Sequence, residues 1–343
     1  MNRDKVRGML LGVAIGDVLG APLEMFSAET ISARYGRVTT FIKPADDHKF
    51  FAGKPAGYWT DDTVLTLAIL KSLINKSRFD MDDMTMEHVK ALEEYGDRGF
   101  GNSTKFSILN AKNGEHWSKS AKTGRDKRGL PYGTGNGISM KIAPFSVFIS
   151  PNGFFGEPFG GFDGERNQEI ADLAWMTHKT GMALASGLSH VYVLRYCLSE
   201  HPETFDRDIF TYLAHEAAII GESMMKDDFP EKLSDRFRIL MNMRGADFLT
   251  PNIRKTFDNG TCFVYNSLPF TYAFFLRNPD SIESLYDVAN AGGDTDSNAS
   301  MLGALLGALH GESIFPKHLV DGLWQKEKVL DVIDRFCDKF EIE

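Results

Sequence analysis

Apolar residues recur at three- and four-residue spacing over residues 5–19, 61–75, 84–95, 168–199, 206–225, 281–289 and 294–310. That is the period of a helix burying one face. No stretch alternates at period two for long, and neither repeated strand–helix units nor a repeat of solenoid length stands out. The pattern predicts an all-α chain. Two segments break it, 113–137 and 150–166, each rich in Gly, Pro, Lys or Phe and each read as a long loop.

Two of the helix starts carry more acid than a helix start needs. In "WTDDT" Asp61 and Asp62 precede the run "VLTLAILKSLI", and in "NAGGDTDSNAS" Asp294 and Asp296 open the last long apolar stretch. Helix capping and the helix dipole explain one carboxylate at each place. A close pair raises each member's pKa unless a cation neutralises both. Neither turn holds His or Cys, so oxygen ligands for Mg²⁺, Mn²⁺ or Ca²⁺ fit better than a zinc site. The full spacing of an EF-hand loop is missing.

Three further features stand beside these turns. Gly8, Gly12, Ala14, Gly16 and Gly20 give the first helix a face low enough for close packing, and Glu24 follows Gly20 and Pro22 on a turn where a general acid or base, or an outer metal ligand, could sit. In "YGTGNGISMKIAP" Gly135, Asn136 and Gly137 precede what reads as another apolar helix, an arrangement able to cradle a phosphate or to be a bare glycine turn. It is neither a Walker A loop nor a Rossmann fingerprint. His178 reads as lying inside a long helix, as a core histidine or a ligand contact.

The chain has 343 residues, which leaves one domain or two open, and 47 acidic against 38 basic residues give it a formal charge of −9. That balance disfavours a general nucleic-acid or membrane-surface binder. Cys197, Cys262 and Cys337 lie in no metal-binding spacing and read as reduced thiols, the expectation for a cytoplasmic protein. The N-terminal apolar run imitates a signal peptide but is interrupted by Asp17, and no stretch reaches roughly 18 consecutive apolar residues. Lys119, Lys122, Arg125, Lys127 and Arg128 form a basic cluster around Asp126, either a solvated loop or a docking patch for an anionic partner.

"GDVLGAPLE", "WTDDT", "GNGISMKIAP", "THKT" and "NAGGDTDSNASMLGALLGALHG" occur in the order and at the separations found in ADP-ribosylglycohydrolases, and the chain resembles that family from about Val6 to Gly311. The resemblance implies a single compact multi-helix domain over residues 1–343, with two Mg²⁺ ions, or Mn²⁺, on the floor of a cleft. Thr60, Asp61, Asp62, Asp294, Asp296 and Ser297 would be the metal ligands. Glu24 and Asp62 would be catalytic, and Gly135, Asn136, Gly137 and His178 would line the substrate pocket. Lys141 stands where arginine is common in the family and Ser297 where threonine is common. In the stretch 96–104, where some arginine-specific relatives hold the acceptor's guanidinium with an acid, Asp97 is the candidate.

The implied activity is hydrolysis of ADP-ribose from modified protein side chains, most readily arginine-linked, with ADP-ribose and the modified protein as partners. Serine-linked, O-acetyl or poly ADP-ribose are alternative substrates. A protein of another class, an immunity protein that reverses or blocks an ADP-ribosyltransferase toxin, is a further alternative.

Overall fold

The computed structural model describes the chain apart from residues 98, 128, 151–162 and 226–228. Its first part holds α1 (Arg3–Gly20), α2 (Ala28–Tyr35), α3 (Asp61–Lys76), α4 (Met81–Tyr95), α5 (Asn102–Lys112) and α6 (Trp117–Ser120). Then follow α7 (Gly164–Thr177), α8 (Gly181–Ser199), α9 (Arg207–Met224), α10 (Leu233–Asn242), α11 (Thr250–Thr256), α12 (Val264–Arg277) and α13 (Glu283–Ala289). The chain closes with α14 (Thr295–His310), α15 (Lys317–Asp321) and α16 (Lys326–Lys339). Among the described residues there are isolated β-bridges but no strand, as the helical period predicts.

The most extensive helix pairing joins α1 to α14. It is antiparallel, with Gly8 against Gly311 at one end and Gly20 against Thr295 at the other. The helices touch backbone to backbone: a Cβ on Gly16 would stand 2.0 Å from the Ala299 carbonyl oxygen. Small residues permit this approach, which explains why an apolar helix carries so many glycines despite their cost of about 1 kcal/mol each. By length and composition Arg3–Leu23 could cross a membrane, yet 94% of its apolar window is buried inside the protein. It is a core helix.

Three expectations change. The stretch 168–199 is two helices, because Thr180 caps α8 by accepting from Ala183 N and interrupts the ladder. His178 therefore lies at the C-cap of α7, in an elbow rather than mid-helix. The glycine turn at 135–137 leads not to an α-helix but to turns and a 3₁₀ segment, Ala143–Phe148, with Pro144 in its first turn. Within 113–137 the short α6 forms and the other described residues are irregular. Lys122 there lies 3.9 Å from the centre of the Tyr132 ring. Arg128 and most of the predicted loop at 150–166 fall outside the described residues.

Candidate active site

Three acidic segments converge because α1 touches all of them. Its C-terminal end lies along the first turn of α14, where the Thr295 hydroxyl donates to the Gly20 carbonyl at 2.8 Å. The short 3₁₀ turn Ala21–Leu23 follows and ends on Glu24. Asp17, fully buried on the same helix, accepts from Thr60 N at 2.9 Å, Thr63 N at 3.1 Å and the Thr63 hydroxyl at 2.5 Å. One carboxylate thus caps α3 from outside, and no side-chain bond from Thr60 is needed to cap it.

The two acidic corners meet. The Ser297 hydroxyl donates to Asp62 Oδ2 at 3.2 Å across 235 residues of sequence. Glu24, Asp294 and Asp296 each offer a carboxylate oxygen, all within 4.8 Å of one another. Asp61, Asp62 and Asp296 are buried, while Glu24 and Asp294 keep an exposed edge.

So many carboxylates cannot stay ionised together in so little water. Burial, then the charges of Asp294 and Asp61, push Glu24 up to about 9. Burial and the charge of Asp17 push Asp61 up to about 7 and Asp62 well above the carboxylate range. Burial and the Glu24 charge do the same to Asp296. Asp62 Oδ1 and Glu24 Oε2 are buried without a hydrogen-bond partner among the described residues. Buried carboxylate oxygens left without donors fit a hard cation, which supplies the missing charge and takes oxygen ligands.

Nearby, Lys141 is fully buried with Nζ 3.4 Å from His88 Nε2, and burial lowers it to about 7 despite the Asp61 charge. His88 Nδ1 is paired with the Met84 carbonyl at 2.8 Å, which leaves Nε2 as the acceptor for the ammonium.

The glycine turn adjoins the acids through Asn136. Its amide donates to Asp294 Oδ2 at 2.6 Å and to the Ser267 hydroxyl at 3.0 Å, and its backbone N–H donates to the Cys262 carbonyl at 3.0 Å. Asn136 is thus a strut that holds Asp294, with these donors committed to protein. Gly137 lies against His178, where a Cβ would come 2.5 Å from Cε1. Burial drives His178 down to about 3, so the ring is neutral, with Nδ1 2.9 Å from the Thr177 hydroxyl. The glycine turn and His178 therefore adjoin the acidic turns through the bond from Asn136 to Asp294.

A cavity of about 450 Å³ borders this floor, lined by Lys49, Phe50, Asp97, Phe100, Asn102 and Lys105 among others. Gly99 separates it from the acids: a Cβ there would lie 3.0 Å from Asp61 Oδ1. Asp97 is ion-paired with Lys105.

The model of the family described as ADP-ribosylglycohydrolase matches residues 1–342. The chain belongs to the ADP-ribosylglycohydrolase family. It is 24% identical to mouse ADP-ribosylhydrolase ARH3, with 98% of this chain and 88% of that protein covered. It is 25% identical to ADP-ribosylarginine hydrolase Tri1 of Serratia proteamaculans, covering 97% of this chain and 78% of that one. A solved structure titled "ADP-ribosylglycohydrolase-related protein complex" has a TM-score of 0.66 at 22% identity and covers 98% of both chains. Membership makes the chain a hydrolase of the ADP-ribosyl class, and metal ions belong to the chemistry of that family.

Two features of this ADP-ribosylglycohydrolase site escaped the sequence reading. Asp17 is the one charged residue between Arg7 and Glu24, a signal that read only as a break in an apolar run. The bond from Asn136 to Asp294 spans 158 residues and has no local signature.

Proposed function

We propose that the protein hydrolyses the bond between C1 of the distal ribose of ADP-ribose and a modified protein side chain, at a site for two Mg²⁺ or Mn²⁺ ions. The observation that carries this reading is the meeting of Asp62 with Ser297 beside Glu24, Asp294 and Asp296, with buried carboxylate oxygens lacking donors. Thr60, Asp61, Asp62, Asp294, Asp296 and Ser297 would hold the ions. Divalent ions, when bound, offset the carboxylate repulsion, orient ribose hydroxyls and polarise water.

The remaining chemistry belongs to the chain. Glu24 or Asp62 takes a proton from the attacking water, whose oxygen bonds to C1 as the bond to the side chain breaks. The departing nitrogen or oxygen atom gains a proton, so the products are free ADP-ribose and the restored side chain. Positive charge developing on the ribose is stabilised by the surrounding carboxylates. Gly135 and Gly137 leave low backbone beside His178 for the phosphate end, and Asn136 keeps Asp294 in register with that turn.

Similarity to an ADP-ribosylarginine hydrolase supports an arginine-linked substrate. The ion pair on Asp97 favours an oxygen-linked one. We place the whole chain in one domain, in keeping with the pairing of α1 and α14 from its two ends, and the protein in the cytoplasm. The test is release of free ADP-ribose from modified protein with and without Mg²⁺. Full activity in strong chelator, or an unchanged rate in Asp296→Ala, overturns the metal role. Protection of cells from a transferase toxin by that inactive variant favours a blocking protein instead.

A further inference from the structure

The cavity beside Asp61 has a charge that the reaction alone does not require. It lies on the far side of Gly99 from the acids, where a Cβ would stand 3.0 Å from Asp61 Oδ1, so the cavity and the reacting floor are near neighbours across one glycine. Among the described residues its lining carries two lysines, Lys49 and Lys105, against one carboxylate, Asp97. That carboxylate is engaged by Lys105. Lys49, also in the lining, is close enough for its charge to act on Glu24. The cavity also meets the first turn of α5, whose cap residue Gly101 has no side chain to bond the exposed N–H groups, and that end of a helix adds positive potential.

We propose that Lys105, with Lys49, is a charge filter at the leaving-group end of the site, selecting oxygen-linked ADP-ribose over arginine-linked ADP-ribose. The proposal rests on the hydrolase reading above and deepens it. An ADP-ribosylated guanidinium keeps its positive charge, and it would enter a cavity whose lining is already net cationic and whose one acid already has a cation. A hydroxyl-linked side chain brings no charge, and a carboxylate-linked one becomes an anion on release, which the lysines favour. The Asp97–Lys105 pair is half-exposed, with side-chain exposures of 48% and 42%, so its own strength is modest. Its effect is on selection: Lys105 must be displaced, or its repulsion accepted, before Asp97 can serve a guanidinium.

The experiment compares kcat/KM for serine-linked, glutamate-linked and arginine-linked ADP-ribosyl peptides of one sequence, using wild type, Lys105→Ala and Lys49→Ala. The wild type should favour an oxygen-linked peptide by at least about tenfold, which is about 1.4 kcal/mol in the barrier. Lys105→Ala should raise the rate on the arginine-linked peptide by about five- to tenfold and leave the serine-linked rate within twofold. Lys49→Ala should move the arginine-linked rate in the same direction and lower the glutamate-linked rate. Equal wild-type rates on serine and arginine linkages, or parallel changes on all three peptides in Lys105→Ala, overturn the filter while the hydrolase reading stands. If no peptide releases ADP-ribose with Mg²⁺, the hydrolase reading itself fails. Both lysines are surface residues, so loss of folding does not confuse the outcome.

Discussion

Asp17→Asn separates the organisation of the acidic turns from their chemistry. The carboxylate takes four contacts: Thr60 N reaches both oxygens, at 3.1 and 2.9 Å, and Oδ2 also accepts Thr63 N at 3.1 Å and the Thr63 hydroxyl at 2.5 Å. Asparagine placed with its oxygen at Oδ2 keeps three of these and turns an NH₂ group toward Thr60 N–H, donor against donor. Bonds to a charged acceptor contribute about 1.5–3 kcal/mol each, so the gross loss looks large. Burial offsets most of it, because it raises the Asp17 pKa to about 6 in spite of the donors. At pH 7 the ionised form is therefore preferred by only about 1.4 kcal/mol. The neutral amide avoids that desolvation cost, and global stability should fall by no more than about 2 kcal/mol.

The effect should appear instead at the turn that Asp17 holds. With one of its two contacts replaced by a donor facing its N–H, Thr60 is held less firmly, so Thr60, Asp61 and Asp62 must be ordered when an ion binds, and about tenfold in metal affinity, or about 1.4 kcal/mol, is the expected loss. Thermal melting of chelator-stripped protein across a Mg²⁺ or Mn²⁺ titration measures it, since binding to the folded state alone raises Tm with ligand concentration. ADP-ribose release should recover toward the wild-type kcat at high metal. If Asp17→Asn and wild type half-saturate at the same metal concentration, Asp17 is only a helix cap and the positioning argument is wrong.

Other outcomes follow from the same geometry. In metal-free protein, stability should fall as pH rises from the ordinary carboxylate range through about 7 for Asp61 and about 9 for Glu24, because the folded state there binds more protons than the unfolded chain. The Mg²⁺-induced rise in Tm should accordingly grow between pH 5 and pH 8, and a constant increment would contradict the cluster's electrostatics. Gly137→Ala brings a methyl 2.5 Å from His178 Cε1, and should cut kcat/KM at least about tenfold while Mg²⁺ stabilisation measured by melting persists. Gly16→Ala drives a methyl to 2.0 Å from the Ala299 carbonyl oxygen and should destabilise by about 3 kcal/mol or yield insoluble protein, read by denaturant unfolding.

What the sequence disclosed follows from how each element is buried. α1, α3 and α14 announce themselves because their apolar residues run on for several turns, and the acids at their ends are out of proportion to capping. α12 does not: "VYNSLPFTYAFFLR" is buried nearly all round, rich in aromatics and interrupted by Pro269, so no single stripe marks it. α16 does show a stripe, Val329, Val332, Ile333, Phe336 and Cys337, which the periodicity reading passed over. The elbow at His178 was hidden because apolar runs flank the short polar stretch 177–180 on both sides, and the break rests on the Thr180 hydroxyl. Site residues were legible where chemistry was concentrated locally, as in "WTDDT". They were illegible where one side chain works across the fold, as Asp17 does on Thr60 and Asn136 on Asp294.

The seam of α1 with α14 also sets the order in which the molecule can be made. The Thr295–Gly20 bond closes a separation of 275 residues. During synthesis α1 emerges well before α14 and must wait, with its apolar glycine face uncovered, until α14 has left the ribosome. A long-range pairing of this kind is slow to form and leaves early segments open to aggregation. The hydrolase should consequently depend on chaperones while nascent, and stalled or truncated chains ending before residue 295 should be cleared or precipitate rather than persist as partly active fragments.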